Sequence, residues 1–204
     1  RLMMRRPVAI IVLALLVATL MGAAPPPRLV AQWSSPEDTG QRFHKIVAVG
    51  ITDDRELRHR FEDKVVTLLR VQGIEAVTSY SLVPDLTAPV SREEMLQRIE
   101  ALKIDAALSF RAVPLEKRDE ATWGAEWQQE SEGAGTLRDL IQATLPLKKT
   151  KSKLFGVEVT LWSIGTPPRV WSGRSGPHKL DELRKGASIF VQDVIGTLRA
   201  SHWI

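Results

Sequence analysis

The sequence predicts an α/β (α+β) fold: a mixed sheet of about five strands, βαβαβ followed by an antiparallel ββ pair and a C-terminal helix, with helices on both faces. Three observations lead there. Between Lys45 and Val113, short apolar runs alternate with two stretches of helical periodicity. From Phe155 the apolar residues alternate strictly, a Gly-Pro turn follows, and a second extended run returns. The chain then closes on a third amphipathic helical stretch.

The N-terminus comes first in order. Arg1, Arg5 and Arg6 precede an uncharged apolar run from Val8 to Leu20, the layout of a secretory signal. Gly22-Ala23-Ala24 supplies small residues for cleavage, and Pro25 stands directly after them. Residues 1–24 are read as a signal peptide, with retention as an N-terminal anchor the alternative. Val8 to Ala24 lies at the bottom of the length range that spans a bilayer. Residues 25–44, rich in Pro, Ser and polar side chains, read as a linker whose Trp33 packs on the domain edge. A single domain is expected over 45–204.

Lys45 to Ile51 is short, apolar on both faces and rich in β-branched residues, as a central strand covered on both sides requires. Asp53 can cap the next helix, with Glu56 three residues later. Leu57, Phe61, Val65, Leu68 and Leu69 then recur at helical spacing, predicting a helix over 55–72 that stops at Gly73. Ile74 to Tyr80 reads as a strand nearer an edge. After Pro84 and Pro89, Ser91 with Glu94 forms a capping box for a helix over 92–103. Ile104 to Phe110 is the third strand. Two right-handed crossovers around a central first strand give the order 2-1-3 and place the two helices on opposite faces.

A long loop is expected over 114–153, well beyond the usual length of a connection. Trp123 and Trp127 stand four residues apart within it, in polar surroundings, and are the candidate binding residues. The competing reading has the loop packed on its own domain. Thr136 to Thr144 can add a short helix. In the next strand Phe155, Val157, Val159 and Leu161 face one side, and Gly156, Glu158, Thr160 and Trp162 the other. The turn at 165–168 leads to an antiparallel return over 169–175, with Trp171 placed to pack against Trp162 if the register allows. The last helix, 179–199, buries Leu183, Ala187, Phe190, Val194 and Leu198.

Charge and composition exclude several functions. The chain carries 28 Lys plus Arg against 24 Asp plus Glu, but three of the arginines belong to the signal, so the mature balance is nearly even. No nucleic-acid partner is expected, because that demands a concentrated basic face. Lys148 to Lys153 is the densest basic stretch and reads as a solvated loop. Without Cys there is no thiol catalysis, no disulfide and no lipid anchor on an N-terminal Cys; without Asn there is no N-glycosylation acceptor. His44, His59, His178 and His202 are scattered, and neither a metal site nor a cofactor is expected. Phosphate-loop and nucleophile-elbow patterns are missing too. Asp53 and Asp54 follow the first strand, where open α/β sheets often bind ligands, although helix capping is their commoner role.

The runs KIVAVGITDD, LRHRFEDKVVTLL, QGIEAVTSYSLVP, REEMLQRIEALKIDAALSFR and VEVTLWSIGTPPRVWSGRS resemble small bacterial envelope proteins and lipoproteins with a fold similar to the amino-terminal domain of TolB. The resemblance covers about Lys45 to Ser201. It implies fold and compartment and carries no catalytic residue. Many members bear a lipobox Cys where this chain has Gly22-Ala23-Ala24. The expectation is an exported, periplasmic or cell-envelope protein that is not an enzyme, binds an envelope protein partner, and touches membrane only through an uncleaved N-terminus. The alternative is a periplasmic hydrolase using Asp53, Asp54 and His59.

Overall fold

The computed structural model describes residues 26–35, 40–82, 92–115, 152–165 and 169–204. Strands β1 (Leu29–Ser34), β2 (Lys45–Ile51), β3 (Glu75–Thr78), β4 (Ala106–Leu115), β5 (Leu154–Ser163) and β6 (Arg169–Ser175) form one sheet in the order β1-β6-β5-β4-β2-β3. Helices α1 (Arg55–Val71), α2 (Ser79–Leu82), α3 (Arg92–Ala101) and α4 (Leu180–Ala200) complete the chain. The class is α/β, as the patterns predict.

β2 pairs in parallel with both β3 and β4, and the β4, β5, β6 and β1 pairings are antiparallel. Lys45 to Ile51 therefore is the central strand its composition demanded. On one face, Leu57, Phe61, Val65 and Leu69 of α1 meet Ile46 and Ala48 together with Leu183, Ala187, Phe190, Val194 and Leu198 of α4. Phe61 is at the centre of this core, stacked on Phe110 at 5.2 Å and edge-on to Phe190 at 6.4 Å. On the other face, Ile99 of α3 joins Val47, Val49, Ile51, Ala107 and Trp162. The first two long helices thus cover opposite faces, as two right-handed crossovers require.

Helix ends follow from local hydrogen bonding. The α1 stop is a Schellman motif: Gly73, at φ +81°, donates to Arg70 O, and Ile74 donates to Leu69 O. α3 and α4 end the same way without glycine, at Lys103 (φ 53°) and His202 (φ 60°). Ile104 N donates to Ile99 O and Trp203 N to Leu198 O, so each chain reversal closes by the same pair of bonds. Trp203 then stacks on Phe43, whose N–H donates to Trp203 O, tying the C-terminus to the start of β2.

Three expectations are corrected. First, the sheet has six strands, because Leu29–Ser34, inside the stretch read as linker, is an edge strand on β6. Its composition hides this, since α4 holds it: Leu29 N–H donates to Asp193 Oδ2 at 3.0 Å and buried Pro27 rests on Gly186. Second, the α1 N-cap is Asp54, not Asp53; its Oδ1 accepts from Leu57 N at 3.0 Å. Third, Trp162 and Trp171 do not pack together. An irregularity between Leu161 and Trp162 sets Leu161 opposite Trp171, and the two indoles belong to different cores, one on each face. The Ser91 cap, most of the 114–153 loop and its proposed helix lie outside the described residues.

A Cβ at Gly186 would come within 2.2 Å of Pro27 Cδ. Gly186→Val should therefore cost about 1–3 kcal/mol by overpacking. In a chain lacking residues 26–35, where the clashing partner is gone, the same substitution should cost much less. Chemical denaturation of the four variants measures the difference; equal costs in both backgrounds would show that Pro27 and β1 do not dock on α4.

Candidate functional site

Among the described residues, two places combine clustered polar side chains with burial. The first is at the C-terminal ends of β2 and β3. Glu62 is completely buried, and its Oε1 accepts from Gly50 N at 2.8 Å, Arg58 Nε at 2.9 Å and Ser79 Oγ at 2.7 Å. Oε2 accepts from Tyr80 N at 3.2 Å, and Arg58 Nη2 donates to Ser79 Oγ at 3.0 Å. One carboxylate thus joins β2, α1 and α2, with Arg58 supplying the countercharge from one helical turn away. Gly50 is required here, since a Cβ would lie 2.8 Å from Arg58 Cγ.

The sequence-predicted candidates border this network and are not joined to one another. Asp54 caps α1 through Oδ1 and takes Arg184 Nε of α4 on Oδ2 at 2.9 Å. The same contact raises the Arg184 pKa. Asp53 and His59 are exposed, and His59 stacks on Tyr80 at 4.4 Å. Tyr80 donates to Asp63, and keeping that proton raises its pKa. Among the described residues no group of three or more His, Asp or Glu side chains could hold a metal ion.

The second place is the α3 side of β4, β5, β6 and β1. Register places Ser109, Thr160, Ser172 and Trp33 in one row across four strands, and Arg111, Glu158, Arg174 and Ala31 in the next. Trp162 Nε1 donates to Ser109 Oγ at 2.9 Å, Arg174 pairs with Glu158, and Arg169 lies over the Trp33 ring at 4.8 Å. Arg111 Nε and Ser172 Oγ are buried with no hydrogen bond, as are Arg169 Nε and Arg174 Nε, although those two side chains are engaged through other atoms, with Trp33 and Glu158. Such groups are rare and call for a physical account. Arg111 also pairs with Ile51, at the junction of β2 and β4.

No single residue in this polar face stands out by motif. Its signal is alternation repeated on three strands, Ser109 and Arg111, Glu158 and Thr160, Ser172 and Arg174, visible only once the strands are aligned. Trp123 and Trp127 lie outside the described residues, in the connection from Leu115 of β4 to Leu154 of β5. The sheet ends from which that connection starts are four residues from Arg111 and Glu158, roughly 13 Å along the strands.

A different region, a shallow groove lined by Lys45, Arg70 and residues 73–77, follows the free edge of β3. Arg70 donates to Ala76 O at 2.8 Å there, which blocks further strand pairing. Lys45 holds exposed Glu75 at 2.7 Å and lowers its pKa.

No protein-family model matches the chain, and no curated protein matches it. Among solved structures it is similar to a PelC dodecamer from Paraburkholderia phytofirmans in space group C2, at 15% identity and TM-score 0.43 over 85% of this chain and 99% of that one. A second PelC dodecamer from the same organism, in space group P6, gives 14% identity and TM-score 0.41, over 82% and 94%. The lipoprotein GNA1162 from Neisseria meningitidis gives 11% identity and TM-score 0.37, over 78% and 98%. The likeness to TolB stands on the sequence runs alone. Among the described residues no helix is long and apolar enough to cross a membrane.

Glu62→Ala should cost about 3–5 kcal/mol, because it leaves the buried Arg58 cation uncompensated; Arg58→Met together with Glu62→Met should recover a large part. Urea melts of the single and double variants decide this. Burial lowers the His178 pKa below its usual 6.5, against the opposing pull of Glu182. The unfolded chain then binds the proton more readily than the folded one. Stability should fall as pH drops below about 6.5 and hold above it. His178→Gln should flatten that slope in melts between pH 5 and 7.

Proposed function

We propose that this is an exported bacterial cell-envelope protein that acts as a non-enzymatic binding module. The observation that carries the reading is the polar half of an otherwise apolar sheet, where charged and hydroxyl side chains from β4, β5 and β6 line one face. The Arg-Pro-apolar start supports export. The carboxylate best placed for hydrolysis, Asp54, spends both oxygens on the α1 cap and on Arg184, which favours binding over a hydrolase built on Asp53, Asp54 and His59. Recognition uses the polar face together with Trp123 and Trp127, large side chains that lose little entropy on binding. The partner is another envelope protein, and the location is the periplasm or the envelope surface.

A membrane-impermeant crosslinker applied to intact cells, followed by capture of the tagged chain, tests this directly. The account expects a reproducible crosslinked envelope protein. Trp123→Ala with Trp127→Ala should abolish that crosslink while shifting the melting temperature little. A drop of the size expected for buried tryptophans, roughly 3–5 kcal/mol each, would make both residues structural and end their recognition role. Lack of any crosslink to a chain confined to the cytoplasm would end the export reading.

A further inference from the structure

The unpartnered donors on the polar face point to a particular ligand chemistry. Arg111 is half-buried, with its Nε shielded and without an acceptor, and Ser172 is 2% exposed with its hydroxyl equally without one. Their strands are two apart and their rows adjacent, so their Cα atoms are roughly 12 Å from each other. An arginine side chain spans about half of that, and Glu158 and Thr160 of β5 stand in the rows between them. Glu158, the one carboxylate in these two rows, is neutralised by Arg174 and does not fill the need of Arg111. Nearby Ser109 is already committed to Trp162 and Thr160.

We propose that this face holds an oxyanion-binding site, in which Arg111 and the Ser172 hydroxyl donate to a carboxylate or phosphate group of a bound ligand. The proposal deepens the binding reading above and rests on it. Both donors lack an acceptor, and an oxyanion offers several lone pairs and a charge that guanidinium matches in geometry as well as sign. Arg111 is beside Ile51, the last residue of β2, on the sheet face that turns polar across β4, β5 and β6. Half-exposed Arg111 forms the mouth of the site and Ser172 its floor.

The test is calorimetric titration of the protein purified from the envelope, at constant ionic strength set by chloride, with inorganic phosphate in one arm and succinate in the other. Saturable binding of either probe, weakened at least tenfold in Arg111→Gln and several-fold in Ser172→Ala, is the expected result. Phosphate alone would identify a phosphate-bearing ligand, succinate alone a carboxylate-bearing one, and both the shared oxyanion chemistry. Arg111→Lys keeps the charge but loses Nε, so it should also bind more weakly; it serves as the readout if the Gln variant does not fold. Binding of neither probe, or equal binding by wild type and the Arg111 variants, overturns the site. A wild-type protein that still crosslinks its envelope partner in that case leaves the binding reading standing without the oxyanion.

Discussion

The carboxylate of Glu62 is the constraint on which the parallel part of the sheet depends. It is fully buried and accepts from Gly50, Arg58, Ser79 and Tyr80, so β2, α1 and α2 are positioned by one side chain. A carboxylate in an apolar interior is tolerated only when its oxygens are filled and its charge is matched, and Arg58 does the latter. The consequence reaches the sheet. With the Gly50 amide fixed, the end of β2 cannot fray, and the loop that follows delivers Asp54 to the α1 cap and to Arg184 of α4. On the α1 side, the ends of β2 and β3 are filled by the protein's own ion pairs.

The two faces of the sheet differ in chemistry. The face bearing α1 and α4 is an apolar core closed by aromatic contacts at Phe61, and its polar groups are internal. The opposite face is apolar only under α3 and turns polar across β4, β5 and β6. On this face the Ser172 hydroxyl and the Nε of Arg111 are buried without an acceptor, a cost to folding that motivates the proposed ligand site, while on the α1 and α4 face Trp171 Nε1 is likewise without one. The buried Arg58–Glu62 pair organises the fold, and Arg111, on the other face, is the residue proposed to bind a ligand.

Much of this was legible in the sequence where a local rule decides the outcome. The unbroken apolar run at Lys45 can only be a central strand, the alternation from Phe155 can only bury one face, and Gly73 marks a helix end; all three hold. Where tertiary contacts decide, the reading failed. β1 has no strand composition of its own and is held by Asp193 and Gly186, some 160 residues away along the chain. Asp53 and Asp54 are indistinguishable as caps until the loop geometry selects the second. A single irregularity in β5 separated Trp162 from Trp171. The polar face escaped notice because no one strand carries it: Arg111, Glu158 and Arg174 become neighbours only through the register of three strands.

If the ends of β2 and β3 are closed by Glu62 and not kept open for a ligand, the Gly50 amide is among the best protected in the molecule. Amide hydrogen exchange of the native protein, read at Gly50 against the core amides of α4, tests this most directly. The account predicts that Gly50 exchanges only through global unfolding, with protection equal to that of Phe190 and Val194. Exchange of Gly50 through a local opening at neutral pH, orders of magnitude faster than those core amides, would contradict it.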